Sequence, residues 1–199
     1  MSSMKTRKSK SSATQARASN DVQPFFRLAP NFIANGGGRA GSLRIEGQTS
    51  ANFAHAHTSQ NEVVTPATGC GRCGREAPCV EITGDLVSTF TTNPVVTLPN
   101  VSQFRGLNQC QQQRVQDGID NVLSPHEDRH VAIFRTYDGT LTTPFTFKLC
   151  QNQAVFNQRL TTMHNGIERP RRAQAQADSR ALDTPPFFFT VDLSNCPDE

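Results

Sequence analysis

The sequence predicts an α+β fold, and three observations predict it. Over residues 79–101, Val80, Ile82, Leu86, Val87, Phe90, Val95, Val96 and Leu98 stand among threonines, with turn marks at Asn93-Pro94 and Pro99-Asn100; this reads as two or three strands. Over 107–137 the period changes: Val115, Ile119, Val122 and Leu123 recur at spacings of three and four, and His126, His130, Ile133, Phe134 and Tyr137 continue the same helical face. A second long helix is expected over 151–182, broken or kinked near Pro170. A small sheet packed on the first helix, with the second long helix beside it, is the simplest arrangement of these parts.

The rest of the chain is less regular. Residues 1–20 hold Lys5, Arg7, Lys8, Lys10 and Arg17 and no acidic residue, and read as a disordered basic leader. Residues 21–78 are rich in Gly, Asn, Ser and Thr, with a Gly36-Gly37-Gly38 break. They read as a loop-rich, Cys-containing segment anchored by Phe25-Phe26 and Phe32-Ile33. Residues 79–199 are expected to form the folded domain, with Phe145-Thr146-Phe147 as a short strand and Phe187-Phe188-Phe189 in a buried terminal strand. With no Trp and one Tyr in 199 residues, the core has to be built from Phe, Leu, Val and Ile.

Charge narrows the function classes. The net charge is +3, the leader contributes five positive charges, and the remainder is therefore at −2. A folded body so close to neutral predicts no nucleic-acid partner. No apolar run reaches the roughly 20 residues a membrane-spanning helix needs, so no membrane partner is expected. The Arg169-Pro170-Arg171-Arg172 cluster reads as a solvated helix surface.

The six cysteines Cys70, Cys73, Cys79, Cys110, Cys150 and Cys196 form an even set, which suits disulfides and an oxidising compartment. Cys70, Cys73 and Cys79 also have the spacing of a structural zinc knuckle, for which Cys110, His55 or His57 would be the fourth ligand. Disulfides are the favoured reading, because all six thiols can pair, and His55 and His57 are expected in a loop. The N-terminus lacks the apolar stretch of a secretory signal. Secretion by a signal-independent route reconciles these facts, with a cytoplasmic location as the alternative.

The sharpest feature is His126-Glu127-Asp128-Arg129-His130, an H-E-x-x-H run. Residues four apart lie on one helix face, so two imidazoles at that spacing can converge on one Zn²⁺. The intervening Glu127 is placed to act as general base toward the attacking water of peptide hydrolysis. Pro125 sits directly before the motif, and two readings accommodate it. Either Ser124-Pro125-His126-Glu127 is a capping box that starts a new helix, or a helix beginning near Gln111 is bent there. A catalytic zinc takes a third protein ligand. Asp183, Asp178, His164 and Glu168 are the candidates, since Ile133 and Thr136 exclude the extended H-E-x-x-H-x-x-G-x-x-H continuation.

The order of these parts resembles the DUF922-type bacterial zinc-dependent proteases, a zincin-like family of secreted or exported proteins. The resemblance covers residues 79–190. It runs from the strand ending Val96-Thr97-Leu98-Pro99, through the H-E-x-x-H helix and Leu149-Cys150-Gln151, to a Gln/Ala/Arg-rich helix ending Ala177-Asp178-Ser179-Arg180-Ala181-Leu182-Asp183. That family closes with a Tyr-Asp-x-x-Thr-x-His-Gly run. Here Leu182-Asp183-Thr184-Pro185-Pro186 takes its place, without the Tyr, the Thr or the His-Gly. The resemblance implies a zincin-like α+β domain and makes Asp183 the preferred third ligand beside His126 and His130. It implies a Zn²⁺ cofactor and a peptide or protein substrate. The composition of the leader and the cysteine set, apart from the resemblance, make an exported effector or toxin that engages a secretion apparatus through its leader the expected setting. The competing expectation is a catalytically inactive structural protein, stabilised by disulfides or zinc.

Overall fold

The computed structural model describes residues 41–74 and 76–197. The basic leader at 1–20, the Phe25-Phe26 and Phe32-Ile33 anchors and the triple-glycine break lie outside the described residues.

The architecture is mixed α+β. The elements run β1 (Ser42–Ile45), β2 (Gln48–Pro66), β3 (Cys79–Thr97), a 3₁₀ turn (Val101–Gln103), α1 (Gln109–Gly118), a π-helical turn (Ile119–Leu123), α2 (Ser124–Arg135), β4 (Gly139–Cys150), α3 (Gln153–Leu182) and β5 (Phe189–Asp192). The described strands form two sheets, one of order β2-β3-β4 and one pairing β1 with β5. No described helix is long and apolar enough to cross a membrane. The chain divides into two compact units, each assembled from separate stretches, and β2, β3 and α3 each run from one unit into the other.

The first unit takes Ala54–Thr91 and Gly139–Arg171. Here β3 and β4 pair antiparallel from Cys79↔Cys150 to Phe90↔Gly139. The period of two puts Val80, Ile82 and Leu86 on one face of β3, where they pack with Phe145 and Leu149 of β4 and with Phe156 and Leu160 of α3. Asn152 starts α3 by accepting hydrogen bonds from the Ala154 and Val155 amides at 2.9 and 3.2 Å. Gly84 falls in the same inward row. A Cβ there would lie 2.8 Å from the Gln60 carbonyl oxygen and 2.9 Å from the Phe145 ring. Gly84→Ala is therefore expected to destabilise the protein by about 1–3 kcal/mol through overpacking against backbone, measured as a lowered urea midpoint at unchanged m-value.

The second unit takes, among described residues, 41–53, Thr92–Asp138 and 172–197. Its two-stranded sheet pairs Ser42 with Asp192 through Ile45 with Phe189. Ile45, Val191 and Leu193 pack there against Val115, Ile119 and Leu123 of the helical run. Asn108 opens that run with a reciprocal cap: its side chain accepts from the Gln111 amide at 2.9 Å, and the Gln111 side chain accepts from the Asn108 amide at 3.1 Å.

Several sequence expectations change. The 21–78 segment is not simply loop-rich: β1 and the 19-residue β2 lie in it. β2 lacks a strong apolar stripe because its residues from Ala54 to Gln60 alternate between exposed and half-buried, so backbone pairing with β3 holds it more than a core face does. The two or three strands expected over 79–101 are one strand, Cys79–Thr97. Pro94 lies past Phe90, the last β3 residue paired with β4, so its missing N–H breaks no bond of that ladder. α3 is unbroken through Pro170. The Phe187–Phe189 run is not uniformly buried, since Phe188 is 45% exposed with the Arg44 guanidinium 3.7 Å from its ring centroid. The basic cluster is not wholly solvated either: Arg171 lies over the Phe90 ring at 5.2 Å and Arg172 over Phe53 at 6.0 Å.

The six cysteines are all in disulfides: Cys70–Cys79, Cys73–Cys150 and Cys110–Cys196. With every thiol consumed, the Cys70/Cys73/Cys79 knuckle is no zinc site. Instead, two bridges fix the 70–79 segment to the end of the β3–β4 ladder. Three disulfides indicate an oxidising environment.

Candidate metal centre

The helix that carries the motif passes through Pro125 by changing register just before it. Leu123 and Ser124 both have right-handed helical backbone angles and no side-chain cap forms, so the capping-box start at Ser124 is not used. The Ser124 amide bonds to the Ile119 carbonyl five residues back, a π turn. An α-register proline removes one ladder bond and collides with the carbonyl four residues earlier. The wider turn takes up that conflict, and α2 continues to Arg135. Of the two readings of Pro125, the continuous helix is the one realised, starting at Gln109.

His126 and His130 therefore stand one turn apart on a buried face, at 6% and 4% exposure. Their Nε2 atoms are 3.1 Å apart. Asp183, the first residue after α3, places Oδ1 3.0 Å from His126 Nε2 and 3.2 Å from His130 Nε2. Among the described residues these are the three whose ligand-type atoms, as they stand and with no side chain moved, gather closely enough to hold a metal ion. Their spacing suits a tetrahedral ion with bonds of about 2.0–2.1 Å, whose ligand atoms lie roughly 3.3–3.4 Å apart. The imidazoles are buried while the Asp183 side chain is half-exposed, which leaves the centre an approach from solvent.

The surroundings orient these donors. His130 Nδ1 lies 2.8 Å from Ser179 Oγ, itself buried. In the tautomer whose Nδ1 donates its proton to that hydroxyl, Nε2 carries the lone pair a metal ion would take. Ser179 and Asp183 are four residues apart, so the C-terminal end of α3 supplies both the carboxylate and the hydroxyl that orients its neighbouring imidazole. Phe187 lies face-on against His126 at 3.6 Å between centroids and 9° between planes. Glu127 is 3% exposed, and Thr49 Oγ1 donates a 2.6 Å hydrogen bond to its Oε2. Gly47 leaves room for that carboxylate, since a Cβ there would fall 2.6 Å from Glu127 Oε1.

Of the four candidates for a third ligand, Asp183 is the one in the cluster. Asp178 is exposed and accepts a bond from Gln174 at 2.7 Å. His164 and Glu168 belong to the first unit, both 1% exposed. The sequence reading missed Ser179, Thr49, Gly47 and Phe187. Ser179 had a usable signal, being one helical turn before Asp183. Thr49 had none, being 78 residues from Glu127 in sequence.

His164 instead meets His55 and His57, which sit on β2 rather than in a loop. Burial, then the charges of His57 and His55, push the His164 imidazole down to about 4, partly opposed by Glu168. Its folded value is thus below its unfolded value of about 6.5. Between these values the unfolded chain binds more protons, so the contribution is full above pH 6.5 and is lost as pH falls toward 4. The melting temperature is expected to decline across that window, with a shallower decline in His164→Gln; equal slopes in scanning calorimetry would count against it.

Comparison with known proteins gives no match to any protein-family model, curated protein or solved structure.

Proposed function

We propose that this chain is a zinc-dependent metallopeptidase with a zincin-like domain of DUF922 type. The observation that carries the proposal is the mutual approach of His126 Nε2, His130 Nε2 and Asp183 Oδ1 to 3.0–3.2 Å, beside a buried glutamate. A two-imidazole, one-carboxylate donor set also suits Fe(II). The H-E-x-x-H position of Glu127 favours hydrolysis, because that chemistry needs a base next to the first ligand.

His126, His130 and Asp183 would hold the ion. When bound, zinc supplies a Lewis acid for the scissile carbonyl and lowers the pKa of the attacking water. Glu127 takes the proton of that water and returns it to the leaving amine. Thr49 holds one oxygen of that carboxylate and so limits its rotation. Ser179 keeps His130 in its ligating tautomer.

Chelator treatment of purified protein is expected to abolish cleavage of an unstructured protein such as casein, and stoichiometric Zn²⁺ to restore it. The competing reading is an inactive, disulfide-stapled structural protein. It is favoured by Asp183 Oδ1 lying within hydrogen-bonding distance of both imidazoles, an arrangement that can satisfy these groups without a metal. That reading predicts no cleavage in any of the three samples.

The proposal includes location and role. Three disulfides suit an exported protein, and the leader at 1–20 would engage a secretion apparatus to deliver an effector or toxin acting on peptide substrates. Secretion unchanged after deletion of residues 1–20 would remove the role assigned to the leader.

A further inference from the structure

Three of the five histidines lie outside the proposed centre, and they meet one another in the first unit. His55 and His57 alternate on β2, so the period of two gives them one face of the strand. His164 comes from α3 and lies between them, with ring centroids 5.0 Å from His55 and 4.6 Å from His57. His55 Nδ1 is 2.8 Å from His164 Nε2. His164 Nδ1 is 2.9 Å from Ser88 Oγ, and both side chains are buried. This repeats the device of the first centre, where Ser179 holds His130 through Nδ1 and leaves Nε2 to ligate.

A second observation is independent of that arrangement. His57 Nδ1 is buried and has no hydrogen-bond partner, and it is the one such side-chain nitrogen or oxygen among the described residues. Leaving a buried nitrogen unpaired is unfavourable, and an ion is one of the partners that explains such a group.

We propose that His55, His57 and His164 form a second cation site, which takes a divalent transition-metal ion of the Zn²⁺, Cu²⁺ or Ni²⁺ class. Imidazole nitrogens are the donors these borderline ions prefer, whereas Mg²⁺ and Ca²⁺ require oxygen. Glu168, also buried, lies one helical turn further along α3. The ring that has to turn is His57, now stacked on His164 at 28°. It gives up little by turning, because its remaining polar contact is Thr161 Oγ1 at 3.5 Å from Nε2. The proposal does not depend on peptidase activity.

The test is metal stoichiometry on the full chain, stripped with chelator and titrated separately with Zn²⁺ and Cu²⁺ by calorimetry. His57→Ala serves as the main variant because His57 is only half-buried, and His55→Gln as the second; circular dichroism and intact disulfides verify the fold. The double variant His126→Ala/His130→Ala removes the first centre. The expected result is about two ions per wild-type chain, with one lost in His57→Ala and in His55→Gln, and one retained in the His126/His130 double variant. Should the first centre bind nothing, the wild type takes one ion and His57→Ala none, and the second site stands. Unchanged stoichiometry in both His55 and His57 variants overturns it, as does a cluster that responds to pH but binds neither ion.

Discussion

Glu127→Gln is expected to lower kcat for peptide hydrolysis by about 10²–10⁴-fold, the range general acid–base groups supply, while zinc content stays at the wild-type level. The substitution is close to isosteric, so it keeps a hydrogen bond with Thr49 Oγ1 within reach and fits the space that Gly47 leaves. What it removes is the capacity to accept a proton. His126 and His130 retain their convergence with Asp183, which does not pass through Glu127. A drop in kcat with KM and bound zinc unchanged therefore separates loss of the base from loss of the metal. His126→Ala should lose both zinc and activity. If Glu127→Gln lost zinc as well, Glu127 would be part of the frame that positions the imidazoles rather than the base.

Removing the Cys110–Cys196 bridge by a double substitution to alanine is expected to lower stability by about 2–5 kcal/mol, and the melting temperature by roughly 5–15 °C. The two cysteines are 86 residues apart in sequence, so the bridge restricts a large part of the unfolded ensemble. Within the second unit it joins the first turn of α1 to the segment just after β5. Those are the elements whose Val115, Ile119, Val191 and Leu193 share one core. Fraying of β5 would also loosen Phe187, which precedes it and covers His126. Calorimetry of the double variant measures the effect; an unchanged melting temperature would mean the packing of β5 on α1 already holds that end of the chain.

The parts visible in the sequence were those with local periodicity. The alternation of Val80, Ile82 and Leu86 marked a strand, and the three-and-four spacing from Val115 to Tyr137 marked a helix, because each pattern follows from a single element burying one face. The imidazole pair was legible for the same reason, as was the pairing tendency of six cysteines. β2 was not legible: Ala, His, Thr and Ser alternate between exposed and half-buried positions, and partnership with β3 defines the strand. The π turn before Pro125 was hidden too, since a proline in helical sequence reads as a start or a bend, and only neighbouring backbone geometry absorbs it. Asp183 came from a family resemblance rather than from any pattern of its own. Thr49 reaches the site from a distant segment, and no spacing rule connects it to Glu127, whereas Ser179 is tied to the site only through its helical spacing from Asp183.

Zinc-edge anomalous diffraction from crystals of the zinc-loaded protein tests the central claim most directly. The account predicts a peak bonded to His126 Nε2, His130 Nε2 and a carboxylate oxygen of Asp183. Zinc found only at the His55–His57–His164 cluster, or an empty space between α2 and Asp183 at saturating zinc, would contradict it.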